Sequence, residues 1–154
     1  MAGEAALVRD VFRARFPGSP EPRVFRAPGR VNLIGEHTDY NLGFVLPIAL
    51  EMACFVAAGE SRDGVLRMYS KNLDDAREFP LAQVDGLQPR GDWTDYVIGV
   101  AQQLQRSRFE TLPLNLALYS TVPVGSGLSS SAALEVSSAL ALLHGRNIDK
   151  TELA

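Results

Sequence analysis

The sequence predicts an α+β domain, and three observations carry that reading. Leu7, Val8, Val11, Phe12 and Phe16 recur at helical spacing. Leu114, Leu116 and Leu118 alternate with Asn115, Ala117 and Tyr119, the two-residue period of a strand. Helical and strand signals of these two kinds interleave along 154 residues, a length that one domain with a real core can fill.

The elements follow in order. Glu4–Phe16 is an amphipathic helix, with Arg9, Asp10, Arg13 and Arg15 between its apolar positions and Pro17-Gly18 as its stop. Arg23–Ala27 is a short strand ending before Pro28-Gly29. Gly43–Ala58 is long and apolar, and Val45, Phe55 and Val56 favour a strand. Val65–Ser70 alternates as a strand does. Asp92 can cap a helix that begins at Trp93, with Tyr96, Val97, Val100, Ala101 and Leu104 on one face. The strand from Leu114 reaches Val122 and stops at Pro123. Ala132–His144 is a helix, and Gly145 suits its C-terminal cap.

Composition narrows the classes of function. Hydrophobic content is 46% and charged content 21%, ordinary for a globular domain. The formal net charge is −3, which argues against nucleic acid as a partner. No apolar run approaches the ~20 residues of a membrane span. The N-terminal stretch carries acids and arginines, unlike the apolar core of a signal peptide. Cys54 is the only cysteine, so no internal disulfide can form, and a reducing cytoplasm is the expected location.

The richest stretch is Pro28–Pro47. It sets Arg30, Glu36, His37, Asp39, Asn32 and Asn41 among three glycines. Carboxylates and amides suit the hydroxyls of a sugar, through charge-assisted hydrogen bonds. An arginine suits a phosphate. A solvated loop accounts for the same residues, and so does a metal site. The metal reading is the weaker, because a zinc site needs three or four ligands and the chain has only two histidines.

A second stretch, Val122–Ala133, reads Val-Pro-Val-Gly-Ser-Gly-Leu-Ser-Ser-Ser-Ala-Ala. Strand, glycine-rich turn and helix start bring free backbone N–H groups to one point, where the helix dipole favours an anion. Gly125 and Gly127 let the backbone approach a ligand. Ser129, Ser130 and Ser131 add hydroxyls for phosphate or magnesium. No Gly-Lys-Ser or Gly-Lys-Thr marks a Walker loop, and the third Rossmann glycine is missing. A nucleophile elbow does not fit either, because Ser131 occupies its last glycine position. An ordinary strand-to-helix turn with a serine cap stays open beside the phosphate reading. Arg30 is either a surface ion pair or the stabiliser of a transferring phosphoryl group. Trp93, the only tryptophan, anchors a core or a helix start by default, and Cys54 is a small buried hydrophobe.

Together the two stretches resemble the first two motifs of the galactokinases, members of the GHMP group of small-molecule kinases. Gly-Arg-Val-Asn-Leu-Ile-Gly-Glu-His-Thr-Asp-Tyr-Asn, residues 29–41, is the specific match. Pro-x-Gly-x-Gly-Leu-Ser-Ser-Ser-Ala, residues 123–132, is shared by the wider group. Leu42 departs from the pattern, where a small or polar residue is expected. The resemblance implies the N-terminal domain of a two-domain α+β sugar-kinase fold, a mixed sheet with helices packed on it. It implies transfer of the γ-phosphate of ATP to the anomeric hydroxyl of D-galactose, giving galactose 1-phosphate, by a cytoplasmic monomer. Residues 18–50 would form the galactose-binding segment and 122–133 the ATP-phosphate loop. Arg30 would stabilise the transition state. Glu36, His37, Asp39 and Tyr40 would hold the sugar. Gly125, Ser126, Gly127, Leu128, Ser129, Ser130 and Ser131 would cradle the phosphates, with Ser131 a ligand to Mg²⁺. Trp93 would lie near the nucleotide base.

The same resemblance allows a galactose and ATP sensor without catalysis, or an N-acetylgalactosamine kinase. The intact Ser129–Ser131 run favours an enzyme. An acidic magnesium ligand, an aspartate on the reacting hydroxyl and a third glycine-rich motif are family features without a counterpart here. Asp149-Lys150-Thr151-Glu152 resembles a capping box just before the chain stops. The expectation is therefore a fragment, inactive alone. The C-terminal domain, lying downstream, would cover the apolar strands at 43–58 and 114–122.

Overall fold

The computed structural model describes residues 2–35, 38 and 41–143. Helix α1 spans Ala2–Arg15 and strand β1 Arg23–Ile34. Strands β2, β3 and β4 follow at Leu46–Glu60, Val65–Ser70 and Asp75–Pro80. A 3-10 turn at Leu81–Gly86 leads to helix α2, Thr94–Arg106. Strand β5, Leu114–Ser120, and helix α3, Ser130–Leu142, complete the order. Gly145 and the capping-box residues 149–152 lie outside the described residues.

The strands form one sheet in the order β1-β2-β5-β3-β4. All neighbours are antiparallel except β3 and β5, so the sheet is mixed. A parallel pair needs a crossover, and β4, the 3-10 turn and α2 supply it. Strand alternation then sorts the core onto two faces. Cys54, Val56 and Ala58 of β2 join Leu114, Leu116 and Leu118 of β5 under Val97, Ile98 and Ala101 of α2 and Ala133, Ala141 and Leu142 of α3. Ala53, Phe55, Ala57 and Ala117 face the other way, against Val8 and Phe12 of α1. Burying one such large side chain contributes roughly 1.5–3 kcal/mol.

Three expectations change here. The first strand does not stop at Ala27 but runs through Pro28-Gly29 to Ile34. Proline is tolerated because β1 is an edge strand, and the register shifts between Pro28 and Arg30. The apolar strands β2 and β5 are not left for a downstream partner. β5 lies between β2 and β3, and β2 has β1 along most of its length and β5 beside Cys54–Glu60. The strand β4 was not foreseen, because Asp-Ala-Arg-Glu-Phe-Pro has no apolar run; charge suits the sheet edge it occupies. What does stay exposed is the far end of the β1–β2 ribbon. Leu33, Ile34, Leu46 and Ile48 are 61, 71, 55 and 46% exposed.

Candidate functional site

The two motifs meet. The Arg30 N–H donates to the Leu128 carbonyl at 3.1 Å. The Ser129 hydroxyl donates to the Arg30 carbonyl at 3.2 Å. These bonds close a gap of about a hundred residues and dock the glycine-rich loop against β1. Gly29 makes the approach possible: a Cβ there would lie 2.9 Å from the Leu128 carbonyl oxygen and 3.2 Å from the Val122 side chain. The Arg30 side chain is exposed at the junction and makes no ion pair among the described residues.

The loop's backbone alternates in handedness. Gly125, Gly127 and Ser129 have φ of +73°, +73° and +60°, and the residues between them do not. Alternating handedness of this kind turns successive N–H groups into one concavity. Gly125 and Gly127 are exposed, and a Cβ on either would meet no protein atom within 4 Å. The space beside them is open. Ser129 is the residue before α3 and makes no side-chain cap to the helix. The serine cap of an ordinary strand-to-helix turn is therefore absent, and the hydroxyl donates to Arg30 instead. A non-glycine residue in this region is strained, and such strain collects at ligand clamps.

The serines divide into two pairs. Ser126 donates to the Pro123 carbonyl at 2.7 Å and closes the turn. Ser129 holds β1. Ser130 and Ser131 line a cavity of about 390 Å³. Trp93, Tyr96, Ser70, Asn72 and Leu73 line the same cavity, and Cys54 lies at its floor. Burial pushes the Cys54 thiol up to about 11, so it is a neutral, inert wall. Trp93 and Ser131 thus line one cavity.

Trp93 is placed by the start of α2. The Asp92 carboxylate accepts from the Thr94 N–H at 2.9 Å and from the Thr94 hydroxyl. These bonds hold the Asp92 carboxyl below its ordinary range. The helix starts at Thr94 rather than Trp93, so Trp93 and not Asp92 is the N-cap residue, although the Asp92 carboxylate still takes the first N–H of α2.

Glu36, His37, Asp39 and Tyr40 lie outside the described residues. The frame around them is described. Thr38 shares its hydroxyl proton between the carbonyls of Gly35, at 2.7 Å, and Phe44, at 3.0 Å. Its own carbonyl accepts the N–H groups of Asn41 and Gly43, at 3.0 and 2.8 Å. Sequence reasoning missed this residue. A hydroxyl inside the loop, flanked by glycines, was the available signal.

Two family signatures match the chain. The galactokinase galactose-binding signature covers residues 10–60. The N-terminal domain of GHMP kinases covers residues 95–154. The galactokinases of Chloroflexus aurantiacus and Streptomyces coelicolor are 47 and 48% identical over 139 and 141 residues. The chain corresponds to the N-terminal portion of galactokinases, within the GHMP kinases. It spans 35% of the length of each of these two relatives, while they match 89 and 90% of it. A crystal structure of Lactococcus lactis galactokinase complexed with galactose superposes with a TM-score of 0.84, at 34% identity. That match covers 96% of this chain and 39% of the other. The mevalonate kinase of Methanococcus jannaschii, at 18% identity and a TM-score of 0.73, shares the fold. The first signature contains Arg30 and the loop around Thr38; the second contains the glycine-rich residues 125–131. No helix among the described residues is long and apolar enough to cross a membrane.

Proposed function

We propose that this chain carries the galactose loop, the ATP-phosphate loop and the transition-state arginine of a galactokinase. The protein would transfer the γ-phosphate of ATP to the anomeric hydroxyl of D-galactose. One observation carries the reading. The bonds joining the Arg30 main chain to Leu128 and Ser129 bring the residue that carries the guanidinium against the glycine-rich loop. Phosphoryl transfer depends on positioning and electrostatics, and this juxtaposition supplies both.

Gly125–Ser131 would cradle the phosphates of ATP, with the base in the cavity against Trp93. Glu36, His37, Asp39 and Tyr40 would hold galactose in the loop that Thr38 braces. Arg30 would neutralise charge developing on the transferring group. The Ser131 hydroxyl, which lines the cavity, is a suitable oxygen ligand for Mg²⁺, and the phosphates and water would complete its shell. Bound there, the ion would draw charge from the phosphate oxygens. No group of three or more His, Cys, Asp or Glu that could hold a metal ion is found among the described residues. The intact Ser129–Ser131 run supports an enzyme over a sensor.

The test is direct measurement of sugar phosphate formed by the complete gene product containing this sequence. It is supplied with Mg-ATP and a panel of galactose, N-acetylgalactosamine and glucose. Galactose 1-phosphate as the main product is expected. Binding of galactose and ATP without product would make the protein a sensor. Preference for N-acetylgalactosamine would move it to that branch of the group.

A further inference from the structure

The Trp93 indole has one polar atom, and it is taken. Its Nε1–H donates to Asp75 Oδ2 at 2.8 Å. The other oxygen of the same carboxylate, Oδ1, pairs with the Arg77 guanidinium at 2.8 Å. We propose that Asp75, held by Arg77, is a positioning residue that sets the orientation of the Trp93 indole and thereby the affinity for the base of a purine nucleotide. This inference rests on the reading of the cavity as a nucleotide site.

The sheet delivers the carboxylate. Asp75 opens β4 directly opposite Ser70 of β3 in the antiparallel register. Ser70 lines the cavity, so Asp75 stands at its edge. Arg77 lies two residues on and therefore on the same side of the strand. With one donor on each oxygen, the carboxylate has a fixed plane. The bond it accepts from the indole is charge-assisted and shorter than a neutral one.

The turn between β3 and β4 is held as well. Asn72 donates to the Ser120 carbonyl at 2.9 Å and accepts from the Ser120 N–H at 2.8 Å. The Tyr69 hydroxyl donates to Asp74 at 2.7 Å. Asn72 and Ser120 both line the cavity. The wall carrying Asp75 is therefore tied to β5, which leads into the phosphate loop. A half-buried aromatic ring can rock about its side-chain torsions. A ring whose N–H is anchored presents one face, and stacking of a flat base depends on that face.

The experiment compares two probes on the complete gene product by calorimetry. MgADP carries a base and tripolyphosphate does not. Asp75→Ala is expected to weaken MgADP by about tenfold, the scale of one charge-assisted bond, and to leave tripolyphosphate unchanged. Asp75→Asn keeps an acceptor for the indole, so it should restore most of the affinity. In a Trp93→Phe background, where no N–H exists, Asp75→Ala should cost nothing further. Equal loss for both probes, or the same loss in the Trp93→Phe background, would overturn the proposal. If Trp93→Ala weakens MgADP but neither Asp75 variant does, the positioning role fails and the nucleotide site stands. If Trp93→Ala has no effect, the nucleotide site fails and the positioning role falls with it. Should Asp75→Ala not fold, Asp75→Asn against Arg77→Ala gives the same reading: a smaller base-specific loss from each, absent for tripolyphosphate.

Discussion

The glycine-rich loop before α3 and the loop that begins at Gly35 are both rich in glycine and hydroxyls, yet they are built by different means. Residues 123–129 are held from outside, by β1, through bonds that join Arg30 to Leu128 and Ser129. The loop that begins at Gly35 is held from inside, by Thr38, whose hydroxyl and carbonyl reach Gly35, Asn41, Gly43 and Phe44. The first arrangement ties the glycine-rich loop to the strand that carries Arg30. The second uses bonds among the loop's own described residues. It follows that a change at the β1 junction should damage nucleotide and transfer chemistry together, whereas a change at Thr38 should touch the sugar alone.

Gly29→Val breaks the comparison most severely. Its side chain would collide with the Leu128 carbonyl and Val122. Overpacking of this kind costs about 1–3 kcal/mol of stability. The displaced loop should lower kcat/KM by roughly 100-fold, as small misplacements of catalytic groups do. Steady-state kinetics with a melting curve checks both. Normal kinetics would show that the junction is not needed.

Thr38→Val sharpens it from the other side. Losing the hydroxyl leaves the Gly35 and Phe44 carbonyls without that donor. The galactose KM should rise by about tenfold, with the ATP KM unchanged and Thr38→Ser close to the parent. A matching rise in the ATP KM would show that the loops are coupled after all.

Gly127→Val separates strain from contact. No protein atom would meet the new Cβ, but φ is +73°. The strain alone should cost roughly 1–2 kcal/mol. Any further loss specific to ATP binding belongs to the ligand. Calorimetry set against denaturant unfolding distinguishes the two, and an ATP affinity equal to the parent's would remove Gly127 from the site.

The smallest effect belongs to Asp92, which serves the helix behind Trp93 rather than either loop. Asp92→Ala should cost about 1 kcal/mol, as loss of a helix cap does. The folded-state pKa of Asp92 lies below the ordinary 3.8, so its contribution is present above that pH. It disappears as pH falls through the lowered value. Stability of the parent minus that of Asp92→Ala, followed from pH 6 downward, should therefore shrink in acid. A difference that grows in acid would contradict the assignment.

Much of this was legible in local pattern. The 3.6-residue period of α1 and the alternation in β5 are properties of adjacent side chains, and both elements appear within one or two residues of expectation, bar the Val122 end of β5. What was not legible depended on partners far along the chain. β4 is a charged edge strand whose existence follows from pairing with β3. Pro28-Gly29 reads locally as a strand stop, and only the docked loop explains why a glycine stands inside a strand. Arg30 and the serines could be named from the motif. That Ser129 serves β1 while Ser130 and Ser131 face the cavity could not. Asp75 carries no motif signal, because its role arises from the β3–β4 register.

The central claim is that Arg30, fixed by the phosphate loop, acts on the transition state. Arg30→Lys in the complete gene product keeps the charge and loses the planar fork. The account predicts that kcat for galactose phosphorylation falls by about 10–1000-fold while galactose binding by calorimetry is retained. Loss of galactose binding with kcat preserved at saturation would contradict it and make Arg30 a ground-state binder.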